Sequence, residues 1–237
     1  YHFYYMKIYS FTFARSGSKG IKNKNLKTFN KRPLISWAIK DSLNSKFITK
    51  AFVSTDSKKI AATAKKAGAI VPFLRPKKLS TSTSPEYLSW QHAIKFLKKQ
   101  KDLPDLFVSV PCTSPLRTSK DLDNMITLFI KEKADFVVGI CDSHRSPYFN
   151  LMKKNHKKLV LFSNLKKKIF RRQDTPKTFD LTTFAYIAKP DYILNKSNFY
   201  SGKSRGYYIS DKFRSIDIDT LEDLEYAEFL NKKYGIK

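Results

Sequence analysis

The chain has 237 residues, 41% of them hydrophobic, with 7 Gly, 10 Pro and 2 Cys. That is enough for one full core, and it excludes disordered, low-complexity and disulfide-stapled chains. Lys and Arg number 46 against 20 Asp and Glu, a formal charge of +26. The lysines are spread along the whole chain, so the excess reads as compositional bias beside an anionic small-molecule site, and no nucleic-acid partner is expected.

No apolar run approaches the ~20 residues of a membrane span, so no membrane partner is expected. Two isolated cysteines fit a reducing cytoplasm. Residues 1–5 precede Met6 and lack the apolar core of a secretory signal. They read as an extension, with a single domain over 6–237.

In chain order, residues 7–13 alternate polar and apolar side chains and read as a strand. A basic loop over 14–25 follows, with Gly17 and Gly20. Pro33 stands where a helix can start, and Leu34, Ile35, Ala38 and Ile39 have helical spacing. Residues 51–54 form a short strand ending at Thr55 and Asp56. Residues 57–67 form a helix closed by Gly68. A third strand is expected over 69–74, then a helix over 85–99, a strand over 106–110, a helix over 120–131 and a strand over 136–140. From 142 to 208 the rhythm breaks, and this stretch reads as an excursion from the sheet. A strand over 215–218 and a helix over 221–233 close the chain. The alternation predicts an α/β fold with right-handed crossovers and a mostly parallel twisted sheet, its ligand beyond the carboxyl ends of the strands.

Four stretches carry polar chemistry. Loop 14–25 contains Ala14, Arg15, Ser16, Gly17, Ser18, Lys19, Gly20, Lys22, Lys24 and Asn25. Glycines let backbone N–H groups approach an anion, and the cations neutralise it, which suits a triphosphate. The spacing is neither a P-loop nor G-x-G-x-x-G. In Ser215-Ile216-Asp217-Ile218-Asp219-Thr220, two carboxylates at i and i+2 of an extended segment point to one side. A hard divalent cation such as Mg²⁺ relieves their repulsion. Thr113-Ser114-Pro115-Leu116-Arg117 and Leu74-Arg75-Pro76 sit at strand ends. The four histidines, His2, His92, His144 and His156, show no metal spacing. Cys112 and Cys141 read as buried structural thiols.

Together these stretches resemble the acylneuraminate cytidylyltransferases, the CMP-sialic acid synthetase family. The resemblance runs through Ala14 to Leu26, Val53 to Asp56, Leu74 to Pro76, Thr113 to Arg117, Arg171 to Asp174 and Ser215 to Thr220. It implies a Rossmann-like nucleotidyltransferase that joins CMP from CTP to a nine-carbon 2-keto sugar acid and releases pyrophosphate. By motif match, Ala14, Arg15, Gly17, Ser18, Lys19, Lys24, Asn25, Arg75 and Ser84 bind the nucleotide. Asp217 and Asp219 bind Mg²⁺, and with Arg15, Lys19 and Lys24 they form the catalytic set. Ser114, Arg117, Arg172, Gln173 and Tyr186 take the sugar. The excursion over 142–208 is expected to build a homodimer and its sugar pocket.

The chain departs from the family pattern at Asp180-Leu181-Thr182-Thr183, where R-x-N-G is common. Pro111 replaces a usual Gln, and Ser82 a frequent Asp. These changes touch sugar recognition more than CTP binding and favour a legionaminic- or pseudaminic-type acid. The alternatives are a 3-deoxy-octulosonate-type cytidylyltransferase, and a polyanion- or nucleic-acid-binding module resting only on the charge.

Overall fold

The computed structural model describes residues 6–18, 20–165, 168–196 and 198–237. Among the described residues the longer strands are β1 Ile8–Ala14, β2 Lys50–Thr55, β3 Leu106–Ser109, β4 Phe136–Asp142, β5 Met152–Asn155, β6 Lys158–Leu161, β7 Phe179–Ala188 and β8 Ser204–Tyr208. The α-helices are α1 Leu34–Leu43, α2 Lys58–Lys66, α3 Glu86–Lys99, α4 Ser119–Lys131, α5 Pro190–Asn195 and α6 Leu221–Tyr234. A two-residue hairpin pairs Thr28–Phe29 with Arg32–Pro33.

The central sheet has six strands in the order β8-β4-β7-β3-β1-β2. β1 runs parallel to β2 and β3, and β8 runs parallel to β4. Only β7 is antiparallel to its neighbours β3 and β4. The chain returns from its excursion at the carboxyl end of the sheet, so β7 must run backwards. Helices α1, α2, α4 and α6 cover one face through two apolar clusters that include Ile35, Val53, Leu230, Val108, Met125 and Val137. α3 and α5 cover the other face. There Phe11 lies 4.7 Å from Phe107 between ring centroids, and Trp90 5.4 Å from Phe107. Both sheet faces are thus sealed, which is why β1 and β3 carry almost no exposed residue.

Local signals set the helix ends. Ser57 Oγ accepts from the Ile60 N–H at 3.3 Å, and Gly68 leaves α2 at φ 95°. Thr118 with Asp121, and Thr220 with Asp223, form reciprocal caps on α4 and α6.

The structure corrects three expected elements. The third strand over 69–74 shrinks to two single parallel bridges, Phe52 to Ile70 and Thr55 to Leu74. The strand over 215–218 does not pair. Lys212–Ser215 is a 3-10 turn, and the extended residues beyond it are tied to their neighbour by one backbone bond, Ile218 N–H to Thr113 O at 2.9 Å. The sheet positions beside β3, β4 and β7 are already filled on both sides. The excursion is also shorter than 142–208. β7 and β8 belong to the central sheet, joined through α5, so the irregular excursion spans 143–178. That stretch carries the separate hairpin of β5 and β6.

Candidate active site

A cleft of ≈ 390 Å³ opens beyond the carboxyl ends of β1, β2 and β3. Arg15, Ser18, Gly20, Lys24, Asn25, Arg75, Ser84, Thr113 and Asp219 line it. A parallel sheet presents its loops there, so residues from four distant stretches converge.

Loop 14–25 is held from within and from both sides. Asn25 Nδ2 donates to the Arg15 carbonyl at 3.0 Å, closing the loop. Asp56, at the end of β2, accepts from Ser16 N–H at 2.9 Å and Ser16 Oγ–H at 2.6 Å. Burial opposes that charge, yet the Ser16 bonds hold the Asp56 carboxyl below its ordinary value. Arg15 Nη1 donates to the Thr81 carbonyl at 2.5 Å, joining this loop to the one after Arg75. On the other side Lys24 Nζ donates to Asp219 Oδ1 at 2.7 Å and the Ile218 carbonyl at 2.8 Å. Gly20 packs so closely that a Cβ there would lie 2.1 Å from the Asp219 carbonyl oxygen.

Arg75 is buried, and its backbone N–H bonds the Thr55 carbonyl at 2.7 Å. Its Nε donates to Ser80 Oγ at 2.9 Å, and among the described residues its Nη groups have no hydrogen-bond partner. Burial lowers its pKa, with Asp56 and Glu86 opposing the shift. The residue remains a cation at any working pH. Ser84 Oγ is buried and unpaired. The cleft therefore offers a guanidinium and a hydroxyl whose donors are free for a ligand.

Asp217 stands behind Asp219. Its Oδ1 is buried with no hydrogen-bond partner, and Thr113 and Thr183 hydroxyls lie against the carboxylate. Burial first, then the Asp219 charge, pushes its pKa up. An orphaned carboxylate oxygen beside a second carboxylate is a donor set that fits a hard divalent cation completed by phosphate oxygens. No three His, Cys, Asp or Glu side chains gather as a metal cluster among the described residues. The ligand's own oxygens must then finish any such site.

The expected nucleotide residues mostly meet here. Ala14 is fully buried at the end of β1, so only its backbone can serve. Gly17 does not line the cleft, and Lys19 lies outside the described residues. The expected sugar residues divide. Tyr186 packs on Trp90 at 5.5 Å, and burial first, then nearby Glu86, pushes its phenol up; it is not one of the residues that line the cleft. Arg172 and Gln173 line a different cleft with Asp142, Ser146 and Lys177. Within one chain they do not join the first.

Ser114 and Arg117 are corrected. Ser114 is fully buried and bonds Thr183 Oγ1 at 2.7 Å. Arg117 is 1% exposed, and its Nη1 donates to the Phe184 carbonyl at 2.6 Å and the Pro111 carbonyl at 3.2 Å. Neither reaches the cleft surface; half-buried Thr113 is the member of that motif that lines the cleft. Sequence reading missed Glu86, which lines the cleft while its Oε1 accepts from Trp90 Nε1–H at 3.1 Å. Burial of the carboxyl pushes its pKa up. Its position in the first turn after Pro85 marked a helix start, not a ligand contact. Asp180 is exposed and lies away from this cleft, accepting from Ser143 Oγ and from His144 N–H at 3.3 Å.

Known proteins with this pattern agree with the geometry. Residues 12–235 match the cytidylyltransferase family. The chain is 31% identical over 228 residues to the post-translational flagellin modification protein B of Campylobacter coli, covering 94% of each chain. It is 32% identical over 220 residues to the CMP-N,N'-diacetyllegionaminic acid synthase of Campylobacter jejuni, covering 92% of each. In fold it is similar to a CMP:2-keto-3-deoxy-manno-octonic acid synthetase complexed with CTP, at a TM-score of 0.71 and 12% identity, over 96% of this chain and 99% of that one. Among the described residues no helix is long and apolar enough to cross a membrane. With its cleft at the carboxyl ends of the parallel strands and the family match spanning nearly its whole length, the chain belongs to the cytidylyltransferases and is a nucleotidyltransferase.

Proposed function

We propose that this enzyme transfers CMP from CTP to the anomeric hydroxyl of a nine-carbon 2-keto sugar acid of the legionaminic or pseudaminic type. The observation that carries the reading is the convergence of Arg15, Lys24 and Arg75 with Asp219 in one cleft. Relatives at 29–32% identity named CMP-N,N'-diacetyllegionaminic acid synthase and pseudaminic acid cytidylyltransferase support the sugar class.

The sugar oxygen attacks the α-phosphorus, and the bond from that phosphorus to the bridging oxygen of pyrophosphate breaks. Negative charge grows on the phosphoryl oxygens. Positioning and fixed positive charge therefore supply most of the rate. The free Nη groups of Arg75 and the Ser84 hydroxyl hold the nucleotide, and Arg15 and Lys24 face its phosphates. Asp217 and Asp219 would hold Mg²⁺, which supplies positive charge to the phosphates.

We further propose a cytoplasmic homodimer. Both cysteines are free and buried, which fits a reducing compartment. The excursion exposes Phe149, Leu159, Phe162 and Phe170, with Leu159 at 71% and Phe170 at 80%. An apolar surface of that kind fits a second copy of the chain. It would bring Arg172 and Gln173 to the partner's cleft.

The test is pyrophosphate release from CTP and Mg²⁺ across a panel of nonulosonic and octulosonic acids. Release with a nonulosonic acid, and with CTP rather than ATP, GTP or UTP, is expected. Release with the octulosonic acid alone would move the enzyme to the other sugar class. Silence with every acid, and no thermal stabilisation by CTP, would overturn the reading.

A further inference from the structure

We infer that Arg117 is a positioning residue that holds the Asp217 carboxylate in place from behind the cleft wall, by cross-linking the turn after β3 to β7. The inference rests on the reading of the cleft as a CTP and divalent-cation site.

Arg117 is one of three charged side chains packed together out of water. Its Nη2 lies 3.7 Å from Asp41 Oδ2, and Asp41 Oδ1 takes the Lys237 ammonium. All three side chains are at most 6% exposed. The group is imperfectly satisfied, since Asp41 Oδ2 and Arg117 Nε have no hydrogen-bond partner. Burying ions this way is a poor route to stability; apolar side chains of similar volume often serve as well or better. The cluster therefore calls for a reason other than stability.

The reason lies in what the guanidinium grips. Through one nitrogen it bonds the carbonyls of Pro111 and Phe184, which belong to segments 73 positions apart. Each carbonyl adjoins a bonded residue pair in or behind the cleft wall. Two residues after Pro111, the Thr113 carbonyl accepts the Ile218 N–H at 2.9 Å, between the two acidic residues. One residue before Phe184, the Thr183 hydroxyl bonds Ser114 Oγ at 2.7 Å and lies 3.5 Å from Thr113 Oγ1. The Thr113 carbonyl thus holds the backbone between Asp217 and Asp219, and Asp217 Oδ1 itself has no hydrogen-bond partner. By fixing the turn that carries Thr113 against the strand that carries Thr183, Arg117 fixes where the acidic segment sits, and with it the Asp217 carboxylate. Asp41 and Lys237 hold the guanidinium in turn. A lysine could keep the charge but lacks the planar fork, and methionine could keep the volume but neither charge nor donor.

The test uses two variants of the full chain, R117K and the triple variant D41L/R117M/K237M. The first keeps the buried cation, and the second removes the whole buried charge cluster, so no ion is left without a partner. Three readouts are taken: the melting temperature, the KM for CTP against kcat, and Mn²⁺ affinity measured by EPR with CTP present. Expected are folded variants with KM for CTP within about twofold of wild type. Their kcat and their Mn²⁺ affinity should fall about tenfold or more, the size typical for a residue supporting a metal ligand. A folded variant of either kind with wild-type Mn²⁺ affinity and kcat overturns the inference. So does failure of both to fold, because Arg117 would then serve the fold alone. The Mn²⁺ measurement needs no sugar, so an inactive wild type that still binds Mn²⁺ with CTP would fault only the sugar assignment. A wild type that binds no Mn²⁺ beyond CTP itself would overturn both.

Discussion

Lys24 and Asp219 are 195 positions apart, yet the Lys24 ammonium lies 2.7 Å from Asp219 Oδ1 and donates to the neighbouring Ile218 carbonyl at 2.8 Å. One side chain thereby clamps the acidic segment to the loop after β1. It also neutralises Asp219, so two carboxylates can stand side by side before any ligand arrives. Replacing Lys24 with Met removes both the clamp and a charge aimed at the triphosphate. kcat/KM for CTP should fall by about 10²-fold, the usual loss for one electrostatic contact to the transition state. Steady-state kinetics check it; a loss under threefold would remove Lys24 from the site.

Gly20 tests the same junction through shape. An alanine Cβ would meet the Asp219 carbonyl oxygen at 2.1 Å, and that neighbour is backbone. Gly20→Ala should therefore push the two segments apart. The expected result is a folded enzyme with normal far-UV circular dichroism and kcat reduced about tenfold or more, because a displacement of ~1 Å at a reacting centre is enough.

Acid should loosen the loop through Asp56. Its carboxyl sits below the ordinary value of 3.8, with burial opposing the shift and the two Ser16 bonds causing it. The folded state thus binds this proton less readily than the unfolded chain. The stability Asp56 contributes is present above pH 3.8 and is lost as pH falls through the folded value. Chemical denaturation of wild type and Asp56→Asn at pH 7 and below pH 4 should show a gap that narrows on acidification. A gap that widens would reverse the sign.

Cys112 should be inert in the native enzyme. The thiol is buried under the cleft wall, and burial pushes its pKa up to about 12. Cys141 is likewise buried. Iodoacetamide at pH 8 should modify neither thiol until denaturant is added, because only the exposed thiolate reacts. Mass spectrometry reads the outcome directly.

The excursion can be tested by charge. Leu159→Asp places a carboxylate on its most solvent-exposed aliphatic side chain among the described residues. If a second copy covers this surface, sedimentation should shift from dimer toward monomer with little change in melting temperature. A monomeric wild type would remove the dimer proposal.

Much of the framework was legible in the sequence because it rests on local causes. Residue pattern and caps such as Ser57, Thr118 and Thr220 set the helices within a residue or two. The motifs named the cleft residues Arg15, Ser18, Lys24, Asn25, Arg75 and Asp219 before their meeting was seen. What the chain alone could not show was pairing. Residues 215–218 look like a strand, but the sheet positions beside β3, β4 and β7 are filled, so they cross the strand ends unpaired. β7 hides inside a Lys-rich irregular tract, and its antiparallel entry depends on where the chain returns. Arg117 has the same cause: a motif reports that a guanidinium is present, while only packing decides whether it faces a ligand or two buried carbonyls. Local propensity and spacing act over a few residues, so they are written in the sequence; burial and direction arise from contacts between segments as distant as Lys24 and Asp219, and only the folded chain decides them.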